Sequence, residues 1–344
     1  MTQLRIAILG VAHYHANFWT RAFLSSADAV VAGAHDPEPE RLRAFATTHG
    51  IAAFERIDEL LALSDAVAIC SETAAHPALV REAAARGLPV LCEKPLGATR
   101  AQCDEIAASV AESGIRFMQS FPKRFDPVNH EIAALLRDGA IGRATMVRIR
   151  HGHSHGFDPE FRRGWFVDPA RSGGGTLLDE GVHAADFLNW LFGLPVSAYA
   201  TTSSSTFRLP VEDAAAAIFR YADGMIAEIA TSWAFAAADT SIEIYGTEGT
   251  ILLGGVDIAS RPTRERDFLR VFRREPGGGS WTSSATVPHF KTGIFHEHVA
   301  WGFVAALREG GPMPVTLEDG RRAFAMIDAA YRSVRSGCAE RIEA

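Results

Sequence analysis

Five short runs in the first 120 residues are apolar on both faces, and helix-length segments separate them. The runs are Arg5–Gly10, Ala29–Ala34, Asp65–Cys70, Leu88–Cys92 and Ile115–Ser120. Between them lie the Ala- and Leu-rich segments Glu38–Thr48, Ala75–Arg86 and Ala98–Ser113. A strand that is apolar on both faces must be covered on both faces, and strands alternating with helices achieve this as a parallel sheet. The pattern predicts a doubly wound, Rossmann-type α/β domain over residues 1–122.

From Phe121-Pro-Lys-Arg-Phe-Asp-Pro127 onward the pattern changes. A helix over Pro127–Asp138 is followed by runs that alternate or carry β-branched residues: Arg143–His151, Ser197–Phe207, Ala214–Tyr221, Gly224–Phe235, Ser241–Tyr245 and Thr250–Leu253. Further helices are expected over Glu180–Trp190, His296–Arg308 and Leu317–Ser336, and Arg273–Ser280 reads as a flexible turn. Residues 123–344 are thus predicted to form a second α/β domain with a largely antiparallel, open sheet.

Composition narrows the function. The 344 residues allow two domains at about 150 residues each. Lys and Arg number 34 against 41 Asp and Glu, a net charge of −7 that suits neither a nucleic-acid backbone nor an anionic surface. No run approaches the length of a membrane span. Four cysteines (Cys70, Cys92, Cys103, Cys338) have no framework spacing, and the amino-terminal residues enter a strand with no apolar signal segment. A cytoplasmic enzyme of small molecules is expected.

The first strand-to-helix turn reads Gly10-Val-Ala-His-Tyr-His15. Against the G-x-G-x-x-G dinucleotide pattern, Gly10 holds the first place, Ala12 the second and His15 the third. Gly10 permits the tight turn, and the helix that follows can receive a diphosphate at its N-terminus. Asp36 closes the second strand, where an acidic residue would bind the adenosine ribose, and an N-cap role for a helix beginning near Pro37 can coexist with it. Pro37 and Glu38 follow, with no adjacent Arg to meet a 2′-phosphate, so NAD is expected over NADP.

Two constellations carry chemistry. Glu93-Lys94-Pro95 follows the fourth strand, at the carboxyl edge where such sheets bind ligands, and Lys94 there can donate to a substrate oxygen. Gly173-Gly-Gly-Thr-Leu-Leu-Asp179 leads into a helix with His183 four residues on, so Asp179 and His183 are expected on one face. An imidazole titrating near neutrality can accept a hydroxyl proton, while a surface ion pair is the plainer reading of this spacing.

Together these segments resemble the family of glucose-fructose oxidoreductase, inositol dehydrogenase and MocA-type oxidoreductases. The likeness runs through Asp36, Thr73-Ala-Ala-His76, Val90-Leu-Cys-Glu-Lys-Pro95, Arg124-Phe-Asp-Pro127, the glycine run to Asp179 and His183, and Ile244-Tyr-Gly-Thr-Glu-Gly249. It departs at the glycine turn. The resemblance implies catalytic roles for Lys94, Asp179 and His183, a cis Lys94–Pro95 bond, and NAD contacts at Gly10, Ala12, His13, Asp36, Ser71, Thr73, His76 and Glu93. It also implies a sugar, cyclitol or related polyol as substrate, near Arg124, His155 and Trp165, and a homodimer or homotetramer formed through the open sheet. Two rival readings stand beside it. His151, His153 and His155, at alternate positions of a strand, would serve a metal-dependent hydrolase or lyase, but ligands about 7 Å apart are too widely spaced for one ion. No metal is therefore expected. A non-catalytic sugar or nucleotide sensor would need no general base.

Overall fold

The structure is a computed structural model that describes residues 2–236, 240–256, 264–288 and 294–343. The chain divides into two compact units. The first comprises Met1–Pro122, Ala170–Gly173 and Gly293–Arg321, and the second Lys123–Pro169, Gly174–Thr292 and Arg322–Ala344. The expected break at 122/123 coincides with the first boundary, but the chain then returns twice to the first unit.

The first unit holds a parallel sheet of β1 (Leu4–Leu9), β2 (Ala29–His35), β3 (Ala66–Ile69), β4 (Val90–Cys92) and β5 (Phe117–Gln119), ordered β2-β1-β3-β4-β5. The helices α1 (His15–Leu24), α2 (Pro39–His49), α3 (Ile57–Leu61), α4 (His76–Ala84) and α5 (Arg100–Ser113) connect these strands. Ile6 to Leu9 and all of β3 are buried, as strands covered on both faces require. A parallel bridge from Ala34 to Ala53 lies beyond β2. Strand order reverses between β1 and β3, the switch point at which doubly wound folds bind ligands.

The second unit begins with α6 (Pro127–Arg137) and is built on a nine-stranded sheet. Its strands are β6 (Ala144–Arg150), β7 (Ser197–Ser203), β8 (Ala214–Arg220), β9 (Ile226–Ser232), β10 (Thr240–Gly246), β11 (Gly249–Val256), β12 (Leu269–Glu275), β13 (Gly278–Ser283) and β14 (Glu340–Arg341). Among the described strands of this sheet, only β6 and β9 pair in parallel. The short α7 (Pro169–Ser172) precedes α8 (Thr176–Asp179) and α9 (Gly181–Phe192). Near the C-terminus, α10 (Ile294–Glu309) belongs to the first unit, and α11 (Leu317–Ser336) runs past the boundary at Arg321.

Three expectations are corrected. The segment read as a flexible turn, Arg273–Ser280, is the core of the β12–β13 hairpin, whose glycines Gly277 (φ 88°) and Gly279 (φ 152°) serve the reversal. β6 stops at Arg150, so His151, His153 and His155 follow the strand instead of lining one face of it. The helix expected over Glu180–Trp190 is preceded by a separate turn of helix, with Glu180 at the junction (φ −100°, ψ −35°), and Asp179 and His183 therefore sit on different helices. No helix among the described residues is long and apolar enough to cross a membrane.

Candidate functional site

The first unit gathers polar side chains at the carboxyl ends of β1 to β4. Gly10 leaves β1 at φ 72°, and a Cβ there would lie 2.4 Å from the Ser71 Cβ. The turn and the end of β3 therefore touch only because position 10 is glycine. Asp36 is buried at the end of β2. Its Oδ2 accepts from Val11 N (2.8 Å), and its Oδ1 accepts from Glu38 N (2.9 Å) and Arg41 Nε (3.0 Å). The N-cap of α2 is Glu38, not Asp36, which instead accepts the Glu38 backbone N–H just ahead of the helix.

Arg41 amends the expectation that no arginine stands near Asp36. It lies five residues on, in the first turn of α2, where side chains lean back toward the helix start. Its guanidinium also pairs with Glu38 (3.1 Å) and Glu72 (3.1 Å), and Glu72 pairs in turn with Arg171. Three carboxylates against two guanidiniums leave this corner with a formal charge of 2 − 3 = −1.

Next to it, His13 Nδ1 accepts the backbone N–H of His15 (3.2 Å), which places the ring proton of a neutral His13 on Nε2. His15 Nδ1 lies 3.2 Å from Glu93 Oε2, and the His15 ring meets His296 of α10 at 3.8 Å between centroids. Glu93 is fully buried, and burial pushes its carboxyl above the ordinary range. Lys94 follows it, only 3% exposed, and the Lys94–Pro95 peptide is cis. His76 Nδ1 donates to the carbonyls of Pro95 (3.1 Å) and Leu96 (3.3 Å). Burial lowers its pKa, which keeps the ring neutral as that donor. His76, expected at the cofactor, thus also holds the segment that follows Lys94. Ser71 Oγ donates to Glu72 O (3.0 Å), and Thr73 is buried at the start of the following 3-10 turn.

These residues fit a dinucleotide. The positive-φ glycine, the close approach of β3, the carboxylate ending β2, and the N-terminus of α1 with no side-chain cap supply what a diphosphate and a ribose require. The His13 ring, however, already accepts the first N–H of that helix.

In the second unit, the last glycine ahead of α8, Gly175, is required by Glu212. Its Oε1 accepts from Gly175 N (3.0 Å), Leu177 N (3.0 Å) and Tyr331 Oη (2.7 Å), and a Cβ on Gly175 would lie 2.0 Å from Glu212 O. This fixes Asp179, whose Oδ2 accepts from Trp233 Nε1 (3.1 Å). Beyond β6, His151 N and His153 N donate to Ala230 O and Ser232 O (3.0 Å each), so the histidine segment runs along β9. Glu180, 3% exposed, reaches both rings: Oε2 lies 3.1 Å from His151 Nε2, and Oε1 lies 3.5 Å from His153 Nε2. His151 and His153 thus each meet a different oxygen of Glu180. His183, 8% exposed, packs edge-on against His151 at 5.2 Å. His183 and His151 also line a pocket with Lys123, Ile149, Phe187 and Thr240, and burial lowers the Lys123 pKa.

Of the residues expected at the substrate, Arg124 gives Nε and Nη2 to Asp186 (3.0 and 2.7 Å), a buried bidentate pair. Trp165 is buried and stacked on Phe166 (4.0 Å), and His155 is exposed beside His153 (4.0 Å). Glu180, Lys123, Trp233, Arg41 and Glu72 escaped the sequence reading. Only Glu180 carried a local signal, through its place between Asp179 and His183.

Comparison with known proteins agrees with this geometry. Residues 4–121 match the model of an oxidoreductase family with an NAD-binding Rossmann fold, and residues 129–252 match a GFO/IDH/MocA C-terminal domain. The chain is 28% identical over 314 residues to a D-apiose dehydrogenase of Paraburkholderia graminis, covering 88% of this chain and 80% of that one. It is 28% identical over 324 residues to an inositol 2-dehydrogenase of Rhizobium meliloti, covering 91% and 92%. A levoglucosan dehydrogenase solved with NADH and levoglucosan superposes with a TM-score of 0.85 at 20% identity, covering 100% of both chains.

Proposed function

The chain belongs to the Gfo/Idh/MocA family of NAD-binding oxidoreductases, and from that premise we propose that it oxidises a hydroxyl of a sugar, cyclitol or related polyol, or runs the reverse reduction. One observation carries this reading: a buried lysine, Lys94, at the carboxyl edge of a nucleotide-binding sheet. A lysine is seldom buried without a task. The named activities of the apiose and inositol dehydrogenases support the substrate class.

When bound, NAD supplies the hydride acceptor. Gly10, Ala12, His13 and Asp36 would hold it, with Ser71 and Thr73 at the end of β3 and Glu93 at the end of β4. Lys94 donates a hydrogen bond to the reacting oxygen and stabilises the charge that develops there. His183 takes the hydroxyl proton as general base. Asp179, fixed by Trp233, positions the substrate and the neighbouring imidazoles. Trp165 and His155 are proposed for the sugar face, while Arg124 acts through its pair with Asp186. NAD is preferred to NADP because a 2′-phosphate would meet Asp36, Glu38 and Glu72 with Arg41 already matched.

Exposed Tyr199 and Ile218, paired across β7 and β8, support a homodimer or homotetramer formed through this sheet. The buried free thiols of Cys70, Cys92 and Cys103 support a reducing, cytoplasmic setting. The test is a panel of sugars and cyclitols offered with NAD and followed by NADH absorbance. At least one is expected to reduce NAD. A chain that binds NAD and reduces it with none of them refutes the reading.

A further inference from the structure

We propose that Glu180, held by His153, makes His151 the acceptor of the proton that His183 takes from the substrate. This rests on the dehydrogenase reading and adds a residue to it. Oxidation converts CH–OH and NAD into C=O, NADH and one proton. The hydride carries both electrons to the nicotinamide, and the proton passes from the hydroxyl oxygen to His183. His183 is nearly buried, so the proton needs a nearby acceptor before the next turnover.

One nitrogen of His183, one nitrogen of His151 and one oxygen of Glu180 lie within 4.8 Å of one another, a span that a single water bridges. Glu180 Oε2 sits 3.1 Å from His151 Nε2. A carboxylate there stabilises the imidazolium once the proton arrives on His151. His153 fixes this arrangement. Its Nδ1 accepts the His155 backbone N–H (3.1 Å), so its ring proton is on Nε2, 3.5 Å from Glu180 Oε1. With one oxygen engaged by His153, the other faces His151.

The charged neighbours act in both directions. Burial and Asp179 push the Glu180 carboxyl up, while His151 and His153 pull it down, and the downward pull prevails. Lys123 and His155 also face Glu180. Glu180 is therefore ionised at neutral pH and acts as a positioning residue through His151, with the proton stored on His151 until product release returns it to solvent.

The test follows imidazole titration by NMR in the full chain, wild type against Glu180→Gln and Glu180→Asp. Glu180→Gln is expected to move the His151 titration to lower pH by about one unit, shift the rise of kcat with pH the same way, and lower its plateau about tenfold. Glu180→Asp should recover most of both. A His151 titration unmoved in a folded Glu180→Gln variant with normal NAD affinity overturns the proposal. So does one equivalent of zinc held by the wild type and lost from Glu180→Gln, because a metal-bound imidazole cannot accept the proton. Absence of NAD reduction by wild type with every polyol strikes the dehydrogenase reading instead, and the NMR titration of His151 still decides the pairing.

Discussion

Each unit buries a glutamate against histidines, and the two carboxyl groups shift in opposite directions. Glu93 is fully buried with one imidazole nitrogen of His15 at 3.2 Å, and burial pushes its carboxyl up. Glu180, almost as buried, has a separate imidazole nitrogen for each oxygen, and its carboxyl is pulled down. Depth alone does not decide which way a carboxyl shifts: at Glu93 burial outweighs the pull of His13, Lys94 and His76, and at Glu180 the pull of His151 and His153 outweighs burial and Asp179. The first cluster lies at the turn proposed to hold the dinucleotide, and the second lies beside the proposed base. Binding and proton transfer are thereby assigned to different histidine–glutamate groups.

The sharpest way to break that division is to remove one histidine from each group. His183→Ala should lower kcat by about a hundredfold or more and leave NAD affinity unchanged, since positioned acid–base groups contribute about 10² to 10⁴. Lys94→Ala should do comparable damage in the same steady-state assay. Unchanged turnover and pH profile in His183→Ala would hand the proton to Lys94. His15→Ala should do the reverse, weakening NAD binding about tenfold by calorimetry with the pH profile of kcat in place.

Asp179→Asn tests positioning without a charge. Its amide keeps the shape beside Trp233, so kcat should fall only about tenfold, measured against His183→Ala in parallel. Asp36→Ala bears on the first unit alone. Freed of one carboxylate, Arg41 becomes available to a 2′-phosphate, and the ratio of NADP to NAD dissociation constants should narrow several-fold. Tighter NADP binding by wild type would reverse the cofactor assignment.

The smallest effect compares the glutamates directly. Glu93 has a folded pKa above its unfolded value, so it favours the folded state at low pH and loses that contribution as pH rises through the raised value. Glu180 has a folded pKa below its unfolded value, so its contribution is present above the ordinary carboxylate range and lost as pH falls. Urea midpoints against pH should therefore flatten in opposite senses for Glu93→Gln and Glu180→Gln. Slopes of the same sign would erase the distinction.

The parallel sheet was legible because a strand such as Ala66–Ile69 can satisfy its composition only when covered on both sides. The antiparallel strands were legible where residues alternate. They were missed over 269–283, where Arg and Gly on an exposed hairpin resemble a loop. Lys94 and His183 stood out because each lies beside a marked turn. Arg41, Glu72 and Lys123 did not, since their meaning comes from neighbours far apart along the chain: Arg171 is 99 residues from Glu72. Asp179 and His183 show the limit of spacing as a guide. A separation of four promised one helical face, but the junction at Glu180 put them on two helices and turned Asp179 to Trp233.

The discontinuity of the first unit bears on how the protein is made. Trp301 of α10 donates its indole N–H to Ala22 O (3.1 Å) at the end of α1, and the His296 ring packs at a tilt on His15 beside the first strand-to-helix turn. A ribosome that has released residues 1–122 has delivered every strand of the parallel sheet but not the helix that covers α1. The nucleotide turn therefore gains its His296 neighbour only after nearly the whole chain has been translated, and a fragment cut at residue 122 would leave that face of α1 open to water, chaperones and other chains.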